Sequence, residues 1–172
     1  MRILIYGAGV IGSLYAALFA EAGYDTSIYA RGKRLEALRN NGLQYRKNQE
    51  VKKAEIRILG ELPNDDIYDF VLLIVRENQL YEALIELKNN KSNTIVTMIN
   101  SLDSYNKWEN IVGKGRILPA FPGAGGSIND DGMANEYIGN AVGKYMRTWR
   151  CPSANKRCGH KMLQKSRIKS RK

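Results

Sequence analysis

The first twelve residues constrain this chain more than any other segment. Ile3-Leu4-Ile5-Tyr6 is a short apolar strand, and it runs directly into Gly7-Ala8-Gly9-Val10-Ile11-Gly12. A helix-like segment, Ser13 to Ala22, follows at once. Strand, G-x-G-x-x-G and helix in that order open a dinucleotide-binding βαβ unit. Gly7 permits a tight turn off the strand. Gly9 lets backbone approach a pyrophosphate, and Gly12 lets the helix pack on the strand. The helix start then offers unpaired N–H groups and a positive dipole end to the phosphates. A secretory signal peptide would also place Arg2 before an apolar stretch. Three glycines in that stretch and a second strand on schedule, Thr26 to Ala30, argue against it.

The pattern continues for about 130 residues. Strand-like runs recur at Ile3–Tyr6, Thr26–Ala30, Phe70–Val75, Thr94–Ile99 and Ile117–Phe121. Between them lie helix-like segments at Ser13–Ala22, Lys33–Asn41, Gln79–Lys88 and Ser104–Val112. Alternation of this kind predicts an α/β fold of the Rossmann type, a mostly parallel sheet with helices on both faces. Leu43–Arg46 and Ala54–Leu59 are expected to add a small hairpin-like excursion. No apolar run approaches a membrane span in length.

The net charge of +10 suggests a nucleic-acid partner until it is located. Residues 132–172 hold 11 of the 27 basic residues and a single acid, Glu136. Residues 1–131 are therefore neutral, and the excess belongs to the last 41 residues. This divides the chain into a dinucleotide-binding domain, 1–131, and a basic tail, 132–172, expected to be largely disordered for want of apolar surface. The tail carries Tyr145 and Trp149 but no recognisable nucleic-acid-binding fold. Both cysteines, Cys151 and Cys158, lie in it; with His160 they form C-x6-C-x-H, too widely spaced and too few for a closed zinc site. No metal is expected. A globular part without cysteine suits a cytoplasmic protein.

Other chemistries find little support. His160 is the only histidine, so the globular part has no Ser-His or Cys-His nucleophile system. Gly123-Ala124-Gly125-Gly126-Ser127 lacks the Gly-Lys-Ser/Thr of a P-loop. Asp65-Asp66 and Asp130-Asp131 read as solvated turn charges.

The end of the second strand indicates the cofactor. In an NAD site an acidic side chain there takes the ribose 2′-hydroxyl. Here no Asp or Glu occurs from Thr26 to Leu35, and the loop reads Arg31-Gly32-Lys33-Arg34. A guanidinium fork suits a 2′-phosphate, which favours NADP(H). The plainer alternative is a solvated basic loop in which Lys33 and Arg34 simply begin the next helix. Arg76 directly follows Phe70–Val75 and lies at the carboxyl edge of the sheet, where such folds bind ligand. The plainer alternative has Arg76 only covering the strand end and Gln79 only facing solvent.

Taken in order, these residues resemble the N-terminal half of the ketopantoate reductase (2-dehydropantoate 2-reductase) family over about residues 1–130. The resemblance rests on Gly7-Ala8-Gly9-Val10-Ile11-Gly12, on Ala30-Arg31-Gly32, and on the helix Leu35–Asn41 ending in Gly42-Leu43. It also rests on Arg76-Glu77-Asn78-Gln79, similar to the family's Lys-x-x-Gln, and on Asn100 after a strand. Ser101 stands where the family usually has glycine. The resemblance implies NADPH as hydride donor and reduction of a 2-oxo acid, in the pantothenate pathway, to a 2-hydroxy acid. It places Gly7, Gly9 and Gly12 at the pyrophosphate and Arg31 and Arg76 at the 2′-phosphate, and it counts Ala8, Val10, Ile11 and Gln79 among the cofactor-binding residues. Asn100 would lie beside nicotinamide and substrate, and Ala124 near the cofactor. Unaided by the resemblance, Asn100 reads as a turn former.

In that family the general-acid lysine and a substrate-binding glutamate come from a second, helical domain beyond about residue 170. This chain stops at Lys172 and loses the pattern near Asp130-Asp131. A truncated or frameshifted product is the expected reading, and no catalytic residue is assigned within the chain. The alternative is a non-catalytic NADP-binding or sensor module. The sequence sets no oligomeric state.

Overall fold

The computed structural model describes residues 1–47, 50–123, 125–128 and 134–137. Ala124, Asp130-Asp131, Cys151, Cys158, His160 and, apart from Ala134–Tyr137, the basic tail lie outside the described residues.

Six parallel strands form the main sheet. In chain order they are β1 (Arg2–Tyr6), β2 (Asp25–Tyr29), β5 (Arg57–Leu59), β6 (Phe70–Leu73), β7 (Ile95–Thr97) and β8 (Ile117–Pro119). Across the sheet the order is β5-β2-β1-β6-β7-β8, and every neighbouring pair is parallel. The chain therefore builds outward from β1 in one direction, then returns and builds outward in the other. The point of reversal lies between β1 and β6, where doubly wound folds open their ligand crevice at the strands' carboxyl ends.

Both faces of the sheet are covered, so its central strands are continuously apolar over Ile3–Tyr6 and Phe70–Leu73 instead of alternating with polar residues. On one face Ile3 and Ile5 pack with α1 (Val10–Glu21) and with Leu38 of α2 (Gly32–Asn41). On the other, Leu4, Tyr6 and Tyr29 pack with α3 (Leu80–Asn89) and α4 (Tyr105–Val112) around the fully buried Trp108. Truncating a leucine at the centre of that layer, such as Leu84, removes about 2–5 kcal/mol.

Helix α1 is buried along most of its length. It ends cleanly. Tyr24 N–H donates to the Phe19 carbonyl at 3.0 Å and Gly23 N–H to Ala20 at 2.9 Å, a Schellman closure. Gly23 takes the left-handed conformation that this closure requires, φ +79°. β2 then begins at Asp25, directly after Tyr24.

The excursion after α2 differs from the sequence expectation. β3 (Leu43–Lys47) pairs antiparallel with β4 (Glu50–Ala54), not with Ala54–Leu59. Arg57–Leu59 belongs instead to the main sheet, parallel to β2. Local alternation cannot say which sheet an edge strand joins. β3 also pairs with β10 (Ala134–Tyr137), which pairs with β9 (Gly125–Ile128) in a second, four-stranded sheet. Strand pairing thus continues past the composition break at residue 131.

Asp66 corrects a second expectation. It is no solvated turn charge; its side chain is only 15% exposed. It accepts from Arg2 Nη2 at 2.8 Å and from the Tyr68 hydroxyl at 2.6 Å, and it also pairs with Arg57. Burial alone would push its carboxyl up. The Tyr68 hydroxyl and the two guanidiniums outweigh burial and hold it below the ordinary 3.8.

Candidate functional site

The carboxyl ends of β1, β2 and β6 meet at the point of reversal, and the glycine turn spans them. Gly7 has φ +113°, and its N–H donates to the Tyr29 carbonyl at 3.2 Å. A Cβ at Gly7 would stand 2.1 Å from the Ile74 carbonyl oxygen. A Cβ at Gly12 would stand 1.9 Å from the Gly7 carbonyl oxygen. These two glycines are demanded by the packing of strand, turn and helix.

Gly9 is different. A Cβ there would meet nothing within 4 Å. The protein does not need this glycine for its own packing. Gly9 is also the N-cap of α1, and no side chain caps that helix start. The amides of Val10, Ile11 and Gly12 therefore precede the first intrahelical donor, the Ser13 N–H on the Gly9 carbonyl, and present their N–H groups at the mouth of the turn. Open space over a glycine, uncapped amides and a helix dipole suit a pyrophosphate.

Arg34 joins this turn from α2. Its Nε donates to the Ala8 carbonyl at 2.9 Å and its Nη2 to Ser13 Oγ at 3.0 Å. Ser13 Oγ lies 3.3 Å from the same Ala8 carbonyl. A half-buried guanidinium thus braces the glycine turn, and burial lowers its proton affinity. The sequence offered Arg34 only as one of a basic loop. Its reach back to Ala8 depends on where the end of β2 sets the first turn of α2 beside the glycine turn.

Arg31 is exposed and forms the N-terminal boundary of α2. Its Nε donates to the Tyr29 hydroxyl at 2.9 Å and its Nη2 to the Tyr6 hydroxyl at 2.8 Å. It also pairs with Glu82 and Glu86 of α3. Tyr6 and Tyr29 are partners across β1 and β2, with ring centroids 4.6 Å apart. Each hydroxyl donates to Glu86. Burial raises both phenol pKa values, and the Glu86 carboxylate raises them further. No acid lies near Arg31 in sequence, yet two carboxylates reach it from more than fifty residues away. Sequence inspection missed Tyr6, Tyr29, Glu82 and Glu86; the i, i+4 spacing of the glutamates was the one local signal that they share a helix face.

Arg76 is exposed just beyond β6, across β1 from Arg31. Its N–H lies 3.3 Å from Gln79 Oε1, so Gln79 closes the 3₁₀ turn Glu77–Gln79 ahead of α3. Asn100 is exposed three residues after β7. The Gly123 N–H lies 3.3 Å from the Tyr15 hydroxyl, which fixes the Pro122-Gly123 loop to α1. Gly7, Ala8, Gly9, Val10, Ile11, Gly12, Arg31, Arg76, Gln79 and Asn100 all follow carboxyl ends of strands in the main sheet. Among the described residues, no group of three or more His, Cys, Asp or Glu side chains could hold a metal ion, and no helix is long and apolar enough to cross a membrane.

Comparison with known proteins bears on this arrangement. A family model described as ketopantoate reductase PanE/ApbA matches residues 3–135. The chain is 36% identical over 105 residues to a 2-dehydropantoate 2-reductase of Mesorhizobium japonicum, covering 59% of this chain and 32% of that protein. It is 34% identical over 92 residues to the 2-dehydropantoate 2-reductase of Pyrococcus horikoshii, covering 52% and 29% respectively. The chain thus spans about a third of the length of these relatives. Among solved structures, a ternary complex of D-mandelate dehydrogenase with NADH and anilino(oxo)acetate superposes with a TM-score of 0.77 at 18% identity, covering 98% of this chain and 55% of that one. At that identity the likeness concerns the fold.

Proposed function

Because the chain belongs to the ketopantoate reductase PanE/ApbA family, we propose that residues 1–131 form the NADPH-binding domain of a reductase that converts a 2-oxo acid, ketopantoate by family, into the 2-hydroxy acid. The observation that carries this reading is the cradle at Gly9. A Cβ there would fill open space at the uncapped start of α1, at the reversal point of the sheet. A dihydronicotinamide held there would supply the hydride for the carbonyl carbon. The chain's residues supply binding and orientation. The amides of Val10 to Gly12 receive the pyrophosphate. Arg34 adds positive charge behind the turn and keeps Ala8 in place. Arg31 and Arg76, on either side of β1, flank the position of the adenosine 2′-phosphate, and Gln79 shapes the turn that carries Arg76. Asn100, beyond β7, lies toward the nicotinamide and substrate end. Tyr15 steadies the Gly123 backbone on the same edge.

The test is a titration with NADPH and NADH, joined to a turnover assay with ketopantoate. Micromolar NADPH binding in preference to NADH supports the reading. Failure to bind either nucleotide refutes it.

A further inference from the structure

Arg31 carries more than a waiting ligand site. All three of its guanidinium nitrogens have partners. Nε donates to the Tyr29 hydroxyl, Nη2 to the Tyr6 hydroxyl and Glu86, and Nη1 to Glu82. The two glutamates are not equivalent. Glu86 is doubly fixed: the Tyr29 hydroxyl donates to its Oε1 at 2.8 Å, and the Tyr6 hydroxyl donates to its Oε2. Its side chain is 29% exposed. Glu82 meets Arg31 from the solvent side, and its side chain is 70% exposed.

We propose that Glu82 is a specificity-determining residue of the dinucleotide site, competing with the cofactor's 2′-phosphate for the Nη1 edge of Arg31. This rests on the dinucleotide reading above. A carboxylate and a phosphate seek the same N–H groups, and two anions cannot share them without mutual repulsion. The exposed partner yields, because an exposed ion pair is weakly held. Glu86 stays, because two buried-side hydroxyls hold it, and it keeps the guanidinium plane oriented as a positioning residue. NADH presents a neutral hydroxyl at the same place and leaves the Arg31–Glu82 pair intact. NADPH binding therefore includes the loss of that pair, and NADH binding does not. Discrimination is smaller than an unopposed arginine would give.

Calorimetric titration of the whole chain with NADP⁺ and NAD⁺ tests this on wild type, Glu82→Gln, Arg31→Ala and the double variant. Glu82→Gln should tighten NADP⁺ about three- to fivefold and leave NAD⁺ within about twofold. In the Arg31→Ala background the same substitution should change neither nucleotide, since no guanidinium remains to compete for. Unchanged NADP⁺ affinity in Glu82→Gln overturns the proposal. So does a loss of NAD⁺ affinity, which would make Glu82 the acceptor of the ribose 2′-hydroxyl. A wild type that binds neither nucleotide overturns the dinucleotide reading itself, and the proposal with it.

Discussion

Arg34 Nε lies 2.9 Å from the carbonyl oxygen of Ala8, so a side chain from the second helix braces the glycine turn between its first two glycines. The same guanidinium reaches Ser13 Oγ inside α1. Its charge stands behind the turn, while that of Arg31 lies beside the end of β2. The two arginines are three residues apart, and on the proposed reading they serve different parts of one ligand.

Arg34→Ala should therefore weaken NADPH and NADH alike. Loss of a charged hydrogen bond to the turn is expected to reduce both affinities by about 1.5–3 kcal/mol. Fluorescence titration of the two nucleotides measures this. A loss confined to NADPH would place Arg34 on the 2′-phosphate instead.

Arg31→Ala should act selectively. NADPH affinity falls by about 1.5–3 kcal/mol through loss of one charge-assisted phosphate contact, and NADH affinity changes little. Equal affinity of the unaltered protein for the two nucleotides would remove the basis for this expectation.

The three glycines of the turn should separate binding from stability. Gly9→Val occupies space that is open in the protein, so it should abolish nucleotide binding and leave the melting temperature nearly unchanged. Gly12→Ala puts a Cβ 1.9 Å from a backbone oxygen and should destabilise the fold by about 1–3 kcal/mol. Thermal denaturation with and without NADPH distinguishes the two classes. Normal NADPH binding by Gly9→Val would move the ligand elsewhere.

Asp66 should give the fold a pH signature. Its folded carboxyl titrates below the ordinary 3.8 because Tyr68, Arg2 and Arg57 outweigh the effect of burial. A depressed carboxyl stabilises the protein above the unfolded value, and that stability is lost as pH falls through the folded value. Asp66→Asn should cost about 1–3 kcal/mol at neutral pH. The difference from wild type should shrink as pH drops below about 4. Denaturant titrations at a series of pH values follow the gap. A gap independent of pH would mean that shape, not charge, is what Asp66 contributes.

Local pattern was sufficient for the βαβ opening. An apolar run that must be buried on both faces, a turn with no room for side chains and an apolar helix leave few alternatives, and the strands observed at Arg2–Tyr6, Asp25–Tyr29 and Phe70–Leu73 fall where the apolar runs place them. Arg31, Arg76 and Asn100 were legible for the same reason: each follows a strand, and parallel strands end on one edge. The edge strand Arg57–Leu59 was not legible, because its choice of sheet depends on what β2 leaves unpaired.

The glycine turn, the main-sheet strands β1, β2, β6, β7 and β8, and the edge on which Arg31, Arg76 and Asn100 follow them were legible from the chain alone. These follow from short-range sterics and hydrophobic period, which neighbouring residues carry between them. What surrounds the arginines depends on contacts between distant segments. Packing of α3 against β1 and β2 brings Glu82 and Glu86 onto Arg31, and the placement of the first turn of α2 after β2 brings Arg34 onto Ala8. Coulombic and hydrogen-bond partners are set by distance in space, and fifty intervening residues leave no trace of that distance in the local pattern.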